Sequence, residues 1–146
     1  MKLTIEHRDL FTVSKDYFLC HCISADFALG AGIAKKFAAL GVRDALLKEY
    51  LGAKYLGEIG VCLDTYATKW HGEYNLVTKK RYFDKPTLLS LKQALNHMKT
   101  CVDNGDKIVM PRIGCGLDRL NWQEVEQIIR EVFADTDIEI LVCDWS

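Results

Sequence analysis

Lys107-Ile108-Val109-Met110-Pro111-Arg112-Ile113-Gly114-Cys115-Gly116-Leu117-Asp118 is the stretch whose reading decides the fold class. Lys107–Pro111 is a short apolar run of strand type, and Gly114 and Gly116 break it into a turn. Asn121, with Glu124 three residues later, has the spacing of a capping box. The segment beyond it carries Trp122, Val125, Ile128, Ile129, Val132 and Phe133 at helical intervals. A strand feeding a glycine turn and then a helix is the unit of an α/β layered sheet. Such sheets bind ligands at the carboxyl ends of their strands.

The same alternation extends outward in both directions. Leu3–His7, Tyr17–Ile23, Glu58–Thr65, Glu73–Val77 and Glu139–Cys143 read as further strands, with the turn-prone Lys69–Gly72 stretch before the fourth of these. Gly30–Leu40 reads as a helix carrying Ile33, Ala34 and Phe37, and Val42–Tyr50 as a second after the break at Gly41. Pro86 opens the clearest helix, Thr87 to Asn104, whose stripe is Leu88, Leu91, Leu95, Met98 and Val102. Asn104-Gly105 has the chemistry of its stop. About six strands interleaved with helices predict one α/β domain over residues 1–146 with a largely buried sheet.

Composition narrows the function classes. The chain has 146 residues with 19 basic and 20 acidic side chains, a net charge of −1. A chain of this size buries roughly 68% of its extended surface and needs no disulfide or metal staple. With 49% apolar and 27% charged residues it is globular in composition, which excludes disorder. The balanced charge argues against a general nucleic-acid coat or a polybasic membrane anchor, and leaves room for a small basic pocket. Met1 to Asp9 places charges where a signal peptide needs an apolar run, and no apolar stretch is long enough to span a bilayer. The expectation is a cytoplasmic, non-secreted monomer with no membrane partner. In that setting Cys20, Cys22, Cys62, Cys101, Cys115 and Cys143 are expected as reduced thiols. Cys20-His21-Cys22 resembles a metal motif, but strand alternation puts both sulfurs on one face and the imidazole on the other, so no metal is expected.

Two glycine turns follow strands: Gly30-Ala31-Gly32 after Tyr17–Ile23, and Ile113-Gly114-Cys115-Gly116-Leu117 after Lys107–Pro111. Taken singly, each reads first as loop punctuation. Two equivalent turns at strand ends can turn their backbone N–H groups, backed by the following helices, on a diphosphate between them. Neither is followed by Gly-Lys-Ser/Thr, and neither completes a dinucleotide Gly-x-Gly-x-x-Gly. Thr78-Lys79-Lys80-Arg81 is a solvated edge or, alternatively, the seat of a nucleophilic lysine. At a reference pKa of about 10.4 only roughly 0.04% of a free lysine is uncharged at pH 7, so such a lysine needs cationic neighbours or shelter from water. Asp118 is either a loop acid paired with Arg119 or a general acid/base beside whatever the turn holds.

The remaining polar groups decide less. Asp9 is a turn residue or an acceptor for an amino group, and Ser24 is a turn hydroxyl or a sugar contact. Trp145 plugs the sheet edge or stacks on a base. Cys115 lacks the His or Asn partner motif of a cysteine protease. His7, His21, His71 and His97 have no zincin spacing, and His97 falls on the polar, solvated side of the long helix.

His21-Cys22-Ile23-Ser24-Ala25-Asp26-Phe27-Ala28-Leu29-Gly30-Ala31-Gly32-Ile33-Ala34 resembles the ribose and phosphate segment of macrodomains. Pro111 to Trp122 resembles their second phosphate loop. With Thr78-Lys79-Lys80-Arg81 added, the likeness is to the branch of the terminal ADP-ribose protein glycohydrolase, from Asp9 to the final strand. The resemblance implies a three-layer α/β/α macrodomain with a six-stranded mixed sheet and a cleft for ADP-ribose. It implies Lys79 as nucleophile on the distal ribose and Asp118 as acid/base. It also implies ADP-ribose contacts from Asp9, Leu10, Ser24, Gly30, Gly32, Ile33, Arg112, Ile113, Gly114, Cys115, Gly116, Leu117 and Trp145, with no cofactor. The chain departs from the commoner macrodomain pattern, an Asn-rich ribose segment and a triple-glycine loop; that favours the lysine route over water activation. The activity implied is hydrolysis of mono-ADP-ribose from acidic protein side chains, with deacylation of O-acetyl-ADP-ribose by the same pocket. Its partners are then ADP-ribose and ADP-ribosylated protein. The competing expectations are removal of ADP-ribose from nucleic-acid bases, a non-catalytic ADP-ribose reader and, more remotely, a phosphatase acting on ADP-ribose 1″-phosphate.

Overall fold

The computed structural model describes residues 1–50 and 58–145. Strands β1 (Lys2–Glu6), β2 (Phe18–Ser24), β3 (Val61–Thr65), β4 (Gly72–Lys79), β5 (Lys107–Met110) and β6 (Glu139–Cys143) form a six-stranded sheet in the order β1-β6-β5-β2-β4-β3. β3 runs antiparallel to β4, and the other pairs are parallel. Parallel strands covered on both faces are rich in apolar residues, and here the buried polar His21, Glu73 and Asn75 interrupt the run on β2 and β4.

Side-chain alternation divides the apolar residues between two cores. Phe18, Cys20, Ile108, Met110, Ile140 and Val142 face α3 (Leu88–Lys99) and α4 (Trp122–Val132), meeting Leu91, Leu95, Met98, Val125 and Ile129. Leu19, Ile23, Val109, Leu141 and Cys143 face α1 (Gly32–Ala39) and α2 (Val42–Tyr50), meeting Phe37, Val42 and Leu46. The result is the three-layer α/β/α arrangement with a mixed sheet. Within β2, Cys20 and Cys22 share the α3 face, while His21 lies flat on Phe37 on the other. Among the described residues no helix is long and apolar enough to cross a membrane.

The long helix is shorter than its stripe predicts. Thr87 and Ser90 close a reciprocal capping box at 3.0 Å each way, so Leu88 is the first helical residue. The helix ends at Lys99, five residues before Asn104, because the Thr100 hydroxyl bonds back to the His97 carbonyl and Cys101 N–H to Met98. Gly105, at φ +80°, belongs to a separate turn tied to Asp137. At α4, Asn121 Oδ1 accepts the Glu124 N–H at 3.2 Å, half of the box its spacing predicts.

Candidate active site

The carboxyl ends of β2, β4, β5 and β6 open into one cleft of about 1330 Å³. That is ample for a nucleoside diphosphate sugar. Every residue that the sequence singled out for the site lies on its walls, Asp9 and Leu10 to Trp145 included.

The two glycine turns form opposite sides. After β2 the chain passes through Phe27 and Leu29, both non-glycine residues at positive φ (54° and 44°), and both buried. Their side chains anchor in the α1 core, and Leu29 borders the cleft. Gly32 follows at φ +59° as the first residue of α1, so this turn does abut a helix N-terminus. The second turn differs from expectation: α4 starts at Trp122, well beyond Gly116, and its positive end does not back the turn. Local bonds shape that loop instead, Cys115 N–H to the Arg112 carbonyl at 3.1 Å and Leu120 N–H to the Gly114 carbonyl at 2.7 Å. Gly114 sits at φ +73°, and a β-carbon there would meet Leu120 Cδ1 at 2.8 Å.

Lys79, the last residue of β4, meets Asp118 from the second loop: Nζ donates to Oδ1 at 2.8 Å. Both side chains are largely sheltered, with 14% and 16% of their surface exposed. Asp118 therefore pairs with Lys79 rather than with its neighbour Arg119, which is exposed. Lys80 and Arg81 also lie in solvent, and Arg81 sits over the Phe83 ring. The charged group that Lys79 meets is thus a carboxylate, not the cationic neighbours that the sequence offers.

Three thiols line the cleft, Cys22, Cys115 and Cys143, the last pushed up to about 11, chiefly by burial. Burial first, and the Asp118 charge second, push Cys22 up to about 12, and burial raises Cys115. These thiols stay protonated at neutral pH, which disfavours them as thiolate nucleophiles. Ser24 is buried and donates to Asp26 Oδ1 at 2.5 Å. At the other end, Asp9 caps a short 3-10 turn by accepting the Phe11 N–H at 3.0 Å. Trp145 is 61% exposed and lies 5.3 Å from the His7 ring. Arg112 pairs with Asp144 at 3.3 Å and stands over Trp122. Among the described residues no group of three or more His, Cys, Asp or Glu converges as a metal site requires. His21 is buried against Phe37 and bonded to Asn75 at 2.6 Å.

Sequence reasoning missed two contacts. His97 is not simply solvated: its Nδ1 accepts the Cys62 N–H at 2.7 Å and pins the edge strand β3 to α3. Lys85 donates to the Leu117 carbonyl at 2.9 Å, joining the segment after Lys79 to the loop that carries Asp118. Both contacts are made across the fold, and no local spacing announces them.

Solved structures share this architecture. The macrodomain of Mycobacterium tuberculosis DarG superposes with a TM-score of 0.77 at 18% identity, covering 99% of this chain and 98% of that one. The macrodomain of Thermus aquaticus DarG gives 0.76 at 18% identity over 97% of each chain. Thermosipho africanus DarTG, solved in complex with ADP-ribose, gives 0.68 at 17% identity over 97% of this chain and 41% of that chain. The six-stranded mixed sheet flanked by helices is therefore the macrodomain fold. No protein-family model matches the chain. The human ADP-ribose glycohydrolase OARD1 is 44% identical over 149 aligned positions, 97% of this chain and 90% of that protein, and the bovine protein of the same name matches to the same extent. The chain belongs to the macrodomain family, in the branch of these ADP-ribose glycohydrolases.

Proposed function

We propose that the chain is an ADP-ribosyl hydrolase that releases mono-ADP-ribose from acidic protein side chains through a covalent intermediate on Lys79. The observation that carries this reading is the 2.8 Å contact between Lys79 Nζ and Asp118 Oδ1 on the floor of a cleft walled by two glycine turns. The turns grip the diphosphate, which sets the distal ribose over the pair. Asp118 takes a proton from the Lys79 ammonium. The freed amine attacks C1″, the C1″–O bond to the target breaks, and the target leaves as its carboxylate. The nitrogen lone pair then expels the ring oxygen, giving an imine and a 4″-hydroxyl. Water adds to C1″, the amine departs with a proton relayed by Asp118, and ADP-ribose is released. An acetyl ester on the C1″ oxygen leaves as acetate by the same displacement, so O-acetyl-ADP-ribose carrying it there is a second substrate of the cleft.

The test uses a glutamate-linked mono-ADP-ribosylated protein and an ADP-ribosylated DNA in parallel. Lys79→Ala abolishes release while calorimetric binding of ADP-ribose persists, and Asp118→Ala slows release or accumulates the adduct. Borohydride with ADP-ribose, followed by intact mass, locates the adduct on Lys79. Normal turnover by Lys79→Ala excludes the lysine route. Release from DNA alone moves the substrate to nucleic acid, and tight ADP-ribose binding with no release from either leaves a reader module.

A further inference from the structure

Asp26 belongs to none of the groups used so far, yet its carboxylate joins three pieces of the site. Oδ1 accepts from the Ser24 hydroxyl at 2.5 Å and from the Ala28 N–H at 3.1 Å, and Oδ2 accepts from the Tyr82 N–H at 2.9 Å. Ser24 ends β2 and Ala28 lies in the loop that follows it, whereas Tyr82 lies three residues beyond Lys79. Lys79 itself is tied to the same loop on its carbonyl side, where its C=O accepts the Ala25 N–H at 2.9 Å. The chain leaves the sheet after Lys79, and the bond from Tyr82 to Asp26 is a tie on the far side of that departure. All three partners are donors, so the hub must be an acceptor with two oxygens, which a carboxylate is and an amide is not. Partial burial pushes this carboxyl up, and the bonds from Ser24, Tyr82 and Ala28 together outweigh it and leave it low.

The Ser24 hydroxyl has a matching consequence. Its proton is committed to Asp26, so toward the cleft the oxygen presents lone pairs and can only accept from a sugar hydroxyl.

The geometry points to Asp26 as a positioning residue that locks the Lys79-bearing strand end to the ribose loop and sets Ser24 as an acceptor; this rests on the lysine reading above. Asp26 is solvent-exposed, so replacing it opens no cavity and the variants fold. In Asp26→Asn the oxygen stays with Ser24 and Ala28, and the new NH2 faces the Tyr82 N–H, so only the tie to the lysine segment breaks. Tyr82→Pro breaks the same tie from the other side. Residues 81–84 form a turn closed by Asp84 N–H to the Arg81 carbonyl at 3.0 Å, and proline suits the second position of such a turn.

Wild type, Asp26→Asn, Tyr82→Pro, Tyr82→Phe and Lys79→Ala are compared for ADP-ribose affinity by calorimetry, melting temperature, and single-turnover release from a mono-ADP-ribosylated glutamate peptide. For Asp26→Asn and Tyr82→Pro the expected result is a release rate down about 10- to 100-fold, with the ADP-ribose Kd within about threefold of wild type. Tyr82→Phe retains the N–H and is the reference for Tyr82→Pro. Wild-type release by both tie-breaking variants overturns the inference, and so does a parallel fall of affinity, rate and melting temperature, which marks a role in folding alone. If Lys79→Ala keeps full activity, the lysine reading itself has failed. If Lys79→Ala is dead while both tie-breaking variants are normal, only the inference about Asp26 falls.

Discussion

Leu117 closes the space beside Gly32: a β-carbon on Gly32 would stand 3.3 Å from Leu117 Cδ1. The Leu117 side chain thus comes close to the start of α1, where the backbone is held at φ +59°. Gly32→Ala would put a methyl into this gap and place a β-carbon in the left-handed region, at a cost of about 1–2 kcal/mol. The melting temperature should fall by about 2–8 °C, as that cost implies for a chain of this size. Calorimetric affinity for ADP-ribose should fall by more than the stability loss alone explains. An unchanged Kd would mean that the diphosphate does not lie between the turns.

The buried imidazole makes stability depend on mild acid. Burial lowers His21 to about 4, against the opposing pull of its bond to Asn75. Asn75 Nδ2 donates to the Leu63 carbonyl and to Thr65 Oγ1, so its Oδ1 faces His21 and the ring donates from Nε2 in the neutral form. With an unfolded value near 6.5, the unfolded chain binds the proton first as pH falls. The stabilisation is complete above about 6.5 and is lost on the way to 4, about 2 kcal/mol by pH 5 and about 3 kcal/mol by pH 4. Urea unfolding at pH 7.5, 6 and 5 measures it. His21→Gln should flatten that slope, and an equal slope in the variant would assign the effect elsewhere.

Much of this architecture is legible because the chemistry that sets it is local. Val42–Tyr50 and Glu139–Cys143 form the elements their patterns predict, and strand alternation puts Cys20 and Cys22 opposite His21. The cleft follows from two strand-to-glycine-turn junctions, since parallel strands bring their carboxyl ends together. The end of α3 is less legible: the apolar stripe continues to Val102, but hydroxyl and sulfur side chains at Thr100 and Cys101 bond back to the His97 carbonyl. Least legible is what crosses the fold. Lys79 and Asp118 are 39 positions apart, and their contact depends on how β4 and the loop after β5 are placed by the whole sheet.

His97 supplies a test away from the cleft. The Cys62 N–H on edge strand β3 has the His97 ring as its acceptor at 2.7 Å. His97→Ala leaves that N–H to find water at the sheet edge and should cost about 1 kcal/mol. Amide exchange at Cys62 should accelerate well beyond that of neighbouring β3 amides, while release of ADP-ribose stays at the wild-type rate. Unaltered exchange would show that solvent already supplies the acceptor.

The Lys79–Asp118 pair should serve chemistry at some expense of stability. Each side chain is more than four-fifths sheltered, so both charges have lost most of their hydration for a single contact at 2.8 Å. In such settings an apolar pair of similar volume is often as stable or more so, whereas removing one partner strands the other charge. Lys79→Met and Asp118→Leu should each destabilise by about 1–3 kcal/mol, less than for a fully buried pair because some solvent remains. The double variant should unfold at a urea concentration equal to or above that of wild type, with no turnover. The coupling energy from the four proteins then isolates the pair from its surroundings. Additive single losses, leaving the double variant least stable of all, would show the two groups to be energetically uncoupled and would remove the reason for reading their geometry as a catalytic compromise.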